Sequence, residues 1–142
     1  MTNKKLAFAT LAGALAGFIT EVLLYGVLLA DFFAANAGSA TGVNREEPNL
    51  LTIALGQIPL ALLLTLFISR WGNRPSMASG VRLGAMFGLL LELGVDLTMY
   101  GTTNIANLTA TLVDPFVTLV QGAVTGAVIG LVLAGVRDTA AA

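Results

Sequence analysis

Glu21, Glu92 and Asp96 are carboxylic acids set inside long apolar stretches, residues 6–30 and 81–100. Gln57 and Gln121 interrupt two further stretches, residues 50–69 and 116–136. A charged side chain at the centre of a bilayer costs about 2.5–3.5 kcal/mol on insertion scales. An acid is kept there by holding its proton, binding a cation or joining a hydrogen-bonded network. No cation of the chain is within reach. Arg82 is about 15 Å from Glu92 along the same helix, and its long side chain reaches back to the aqueous boundary. Glu92 and Asp96 lie one turn apart and repel each other when both are ionised. Two chemistries therefore compete. Glu21, Glu92 and Asp96 form a proton or small-cation site, or they are neutral acids linking helix to helix, each bond giving about 0.6 kcal/mol.

Catalytic chemistry is poorly supplied. The chain has no Cys and no His, which removes thiol nucleophiles, the usual zinc sites and His-ligated haem. Any metal would have to be held by oxygen, and neither a metal nor a cofactor is expected. No GxGxxG or Walker pattern is present, and the glycine spacings do not form a phosphate loop. No catalytic residue is assigned.

These acids need elements to hold them. The chain has 142 residues, 56% hydrophobic and 11% charged, with mean hydropathy +0.87. Soluble domains average about 45–50% apolar and about 25% charged, so this composition belongs to a membrane protein. A membrane helix needs about 20 apolar residues, and four segments qualify: 6–30, 50–69, 81–100 and 116–136. The first is longer than the roughly 7–15 residues of a signal core and contains Glu21; it reads as a retained span. Asp114-Pro115 reads as an N-cap followed by an N1 proline opening the fourth span. The fold class is all-α: one transmembrane domain, residues 1–142, of four helices.

Orientation follows from the basic residues. With the N-terminus inside, Lys4, Lys5, Arg70, Arg74, Arg82 and Arg137 are all cytoplasmic and only Arg45 lies outside. That is a strong positive-inside bias, with both termini cytoplasmic. Net charge is −1 without a basic run, so nucleic acid is excluded as a partner.

Gly13–Glu21 (GALAGFITE) and Gly84–Glu92 (GAMFGLLLE) share the pattern Gly-Ala-x-x-Gly-x-x-x-Glu. Spans one and three run in the same direction and carry this motif, while spans two and four each carry a glutamine. The pattern is that of two helical hairpins related by an axis along the membrane normal; chance likeness among Gly/Ala/Leu-rich helices is the alternative. Counting 1.5 Å per residue, Glu21 and Glu92 lie about 12–14 Å below the outer boundary, Gln57 and Gln121 about 8–11 Å, and Asp96 about 6 Å. Asp31 and Asp114 fall at the outer rim of this polar layer. Gly13/Gly17, Gly84/Gly88 and Gly122/Gly126/Gly130 are spaced four apart, which lets helix backbones approach closely. Whether they pack within a chain or between subunits is open.

The stretches YGVLLADFF from Tyr25, DLTMYGTTN from Asp96 and Val113-Asp114-Pro115, with the glycine-rich last helix, resemble small four-helix bacterial membrane proteins of unassigned function, the DUF1761-like group. The resemblance implies topology and a bacterial inner-membrane location. It implies no activity and no site residues.

Three functions follow from these readings. The first is a non-enzymatic membrane protein, oligomeric, whose carboxylates handle a proton or small cation. The second is an accessory or assembly subunit whose glycine stripes dock a homo-oligomer or a larger membrane complex. The third is an enzyme or lipid-binding protein using Asp31, Asp96, Asp114 and Tyr100 at the membrane surface.

Overall fold

Three of the four long helices begin where a side chain supplies the hydrogen bonds that a helix end lacks. In the computed structural model, which describes residues 2–72 and 74–135, α1 spans Asn3–Leu23 and runs on as a π-helical turn, Leu24–Leu28. The backbone breaks at Leu29 and a short α2 follows, Ala30–Ala35. α3 covers Leu50–Trp71, with the Asn49 side chain accepting from the Thr52 amide at 3.0 Å. α4 covers Met77–Thr102 and opens with a capping box in which Ser76 and Ser79 bond reciprocally. α5 covers Leu108–Gly135. α1 with its π turn, α3, α4 and α5 are each long and apolar enough to cross a membrane.

Three of the boundaries that differ from the sequence reading have an identifiable cause. The first span is not one helix to residue 30, because the wide π turn and the Leu29 backbone (φ −117°, ψ 8°) end it early. The third starts at Met77 rather than 81, where the serine pair provides the cap. The fourth starts at Leu108. Asn107 caps it, its Oδ1 accepting from the Ala110 amide at 3.0 Å, so Asp114 and Pro115 lie inside the helix and not at its N-terminus. Pro115 costs one backbone hydrogen bond there, and its ring is fully buried. Val136, the expected end of that span, and Arg137 lie outside the described residues.

The helices pack by leaving side chains out. α4 and α5 form the most extensive pair, with Gly80 against Gly126, Gly84 against Gly122, Gly88 against Thr118 and Ser76 against Gly130. A Cβ added at any of these glycines would run into the facing carbonyl. Backbones this close gain dispersion and Cα–H···O contacts in place of a hydrophobic driving force that lipid does not supply. α1 buries its own small face, Ala9, Gly13, Ala14 and Gly17. Ile129 of α5 fills the space over Gly13, with Ala61 of α3 beside it. Thus Gly84/Gly88 and Gly122/Gly126/Gly130 meet one another inside one chain, whereas Gly13/Gly17 meet α3 and α5. The two copies of the Gly-Ala-x-x-Gly motif have different neighbours.

The dry core lies at one end: Ala9, Leu64, Ile68, Ile129 and Leu133, with Phe67 and Phe87 packed on it. Antiparallel packing brings Lys4, Lys5, Arg70, Arg74 and Arg82 to this same end, called here the basic end. The opposite, loop end is tied down by the connections. Gly38 donates to the Ile105 carbonyl at 2.8 Å and Ala40 to that of Asn104 at 3.0 Å. The Asn107 side chain donates to Asn36 Oδ1, also at 3.0 Å. Leucines exposed over the outer faces, Leu15, Leu51, Leu55 and Leu63 among them, are what a bilayer solvates.

Candidate functional site

Below the loop end the helices part around a cavity of about 270 Å³. α1 and its π turn contribute Glu21 and Tyr25, α3 contributes Gln57, α4 contributes Glu92, and α5 contributes Asp114, Thr118 and Gln121. Measured from the loop ends of their helices, these residues lie about 5–20 Å deep, Tyr25 the shallowest and Gln121 the deepest. Apolar groups complete the lining, chiefly Leu60 and Leu64 of α3 and Phe87 and Leu91 of α4. Among the described residues, none that line the cavity is basic.

The hydrogen bonds run in two sets. Gln57, buried on α3, donates through Nε2 to Glu21 Oε2. It fits because α1 has glycine opposite it: a Cβ on Gly17 would stand 2.6 Å from Gln57 Oε1. The Gly17 carbonyl in turn accepts from Gln121 Nε2 at 3.3 Å. Gly17 therefore both makes room for one glutamine and anchors the other. In the second set the Tyr25 hydroxyl donates to Asp114 Oδ1 and shares a 3.1 Å hydrogen bond with Thr118 Oγ1.

Between these sets lie the carboxyl groups of α4. One oxygen each from Glu92, Asp96 and Asp114 fall within 4.8 Å of one another. Asp96 Oδ2 is buried without a hydrogen-bond partner. Like charges at such spacing cannot all persist without compensation. A shared proton or a bound cation relieves them, and an all-oxygen set suits hard cations such as Ca²⁺ or Mg²⁺ rather than soft metals. Among the described residues, Glu92, Asp96 and Asp114 are the ones grouped so as to hold one.

The sequence candidates thus separate. Glu21, Gln57, Glu92, Gln121 and Asp114 line one cavity, with Asp96 beside Glu92 and Asp114. Asp114, placed by the sequence at the rim, sits one and a half turns inside α5 because the helix starts at Leu108. Asp31 does not join them; it is exposed on α2. Tyr25 and Thr118 were not among the candidates. The one available signal was spacing: Glu21 and Tyr25 are four apart and share a helix face. The π turn beginning at Leu24, a feature frequent at functional sites, is invisible in an apolar sequence.

A stability prediction arises here. Tyr25→Phe removes the donor to Asp114 and should lower stability by about 1–3 kcal/mol, the cost of leaving a buried polar group unpaired. Thr118→Val, which loses the weaker bond, should cost less. Thermal unfolding in mild detergent, followed by circular dichroism, checks the order. Comparison of the chain with protein-family models, curated proteins and solved structures finds no match.

Proposed function

We propose that this is a small, non-enzymatic integral protein of the bacterial inner membrane, both termini cytoplasmic, that handles a proton or small cation through the carboxylates of its cavity. One observation carries the reading: Glu21, Glu92 and Asp114, from three helices, open into a single cavity with no basic lining residue among the described residues. The gathering of Lys4, Lys5, Arg70, Arg74 and Arg82 at the other end supports the orientation, since positive charge is retained on the cytoplasmic side. In that orientation the cavity lies in the outer half of the bilayer. The glycine stripes of α4 and α5 are filled by each other. A second copy or a partner subunit would therefore meet the leucine-rich outer faces instead.

The test is a flux measurement. Glu21→Gln combined with Glu92→Gln removes two acids while preserving size and hydrogen bonding. In proteoliposomes, proton-linked or cation flux through the natural chain should fall to the level of empty vesicles in the double variant. Equal flux through both proteins would end the reading.

A further inference from the structure

The cavity is larger and greasier than a bare ion requires. Its volume of about 270 Å³ is close to the lower end of small-molecule pockets at about 300 Å³. Its walls differ in chemistry: Leu60, Leu64, Phe87 and Leu91 form the side between α3 and α4, while Glu21 and Asp114 stand on α1 and α5 opposite. Glu92 stands on α4 between the two walls.

It is also open sideways. α3 and α4 touch sparingly; Phe67 and Phe87 close the gap at the basic end, ring centroids 6.1 Å apart. Nearer the loop end, Leu60 and Leu91 each line the cavity and are yet 45% and 40% exposed. A side chain that faces both the cavity and the surroundings marks an opening, and the surroundings of these helices are lipid. Tyr25 and Phe87 are both at the cavity wall, and aromatic rings of this kind attract cations.

We propose that the cavity takes a lipophilic organic cation, an ammonium bearing alkyl or aryl groups, admitted from the bilayer between α3 and α4. Its apolar groups rest on the leucine and phenylalanine wall, and its charge meets Glu21, Glu92 and Asp114. This rests on the cation-handling reading above and names the class of cation.

Benzyltrimethylammonium is a probe of suitable size, and neopentylbenzene, with carbon in place of nitrogen, is its neutral counterpart. Equilibrium binding to the full chain in detergent should show saturable uptake of the cation and little of the neutral compound. Glu92→Gln should weaken that binding by about tenfold or more, as loss of one desolvated charge partner does. Leu60→Trp, which narrows the opening, should weaken it as well. Leu55→Trp, on an exposed face away from the cavity, should not, and circular dichroism confirms that each variant is folded. Equal binding of the neutral compound, or cation binding indifferent to Glu92→Gln, would overturn the inference. Failure to bind benzyltrimethylammonium would also overturn it. If proton or inorganic cation flux is nonetheless lost in the Glu21→Gln, Glu92→Gln protein, the broader reading stands without it. If no flux is found either, both fall.

Discussion

Alanine at Gly84 or Gly126 should force α4 and α5 apart. A Cβ on Gly84 would collide with the Gly122 carbonyl and stand 3.0 Å from Gly126 Cα; one on Gly126 would collide with the Gly80 carbonyl and stand 3.0 Å from Gly84 Cα. These obstacles are backbone, so no rotamer change relieves them. Each substitution should cost about 1–3 kcal/mol, the usual range for overpacking a tight contact. The two sites share partners, so the double variant should not be additive. Gly56 and Gly94 provide the control, since nothing lies within 4 Å of an added Cβ at either. Alanine there should be neutral or gain about 0.5–1 kcal/mol, because helical glycine carries extra backbone entropy. Equilibrium unfolding in mixed micelles separates the two pairs. Because Gly88 and Gly122 also line the cavity, parting these helices should disturb the site as well as the fold.

Gln57→Leu should be among the most damaging single changes of the polar side chains. Gln57 is only 9% exposed and is the side chain that donates to Glu21. Its loss leaves an acid unpaired in an apolar surround, at a cost of about 1–3 kcal/mol. Replacing both partners is a different matter. Gln57→Leu together with Glu21→Leu removes the orphaned group along with its donor and should recover most of the loss. A double-mutant cycle in detergent should therefore return a coupling of about 1–3 kcal/mol. A coupling near zero would mean that the two side chains do not meet.

Much of the scaffold was legible because a bilayer imposes one strong constraint, long runs of apolar residues that satisfy their own backbone. α3 is the clearest example: Asn49 caps it and Arg70-Trp71 ends it, close to the expected 50–69. What hydropathy does not encode is which helix faces which. The two Gly-Ala-x-x-Gly-x-x-x-Glu segments are alike in sequence, yet Gly84 packs on glycine backbone and Gly13 beneath Ile129. The meeting of Glu92 with Asp114 depended on where α5 begins. Asp114-Pro115 is a good helix start by local rules; Asn107 is an equally good cap residue, and Asn36, distant in sequence, bonds it where the helix begins. Tyr25 was hidden for a similar reason. Its partner Asp114 lies 89 residues away, and no local signal announces the π turn that carries it.

The most direct test of the central claim, that acids from separate helices converge inside this bundle, uses the absence of cysteine from the chain. Glu92→Cys with Asp114→Cys supplies the only two thiols, at positions whose carboxylate oxygens lie within 4.8 Å. In reconstituted protein, cadmium(II) should bridge the pair and protect both from maleimide. The same ion should leave Glu92→Cys with Asp31→Cys unprotected. Independent labelling of both thiols in the first protein, at every cadmium concentration, would contradict the account.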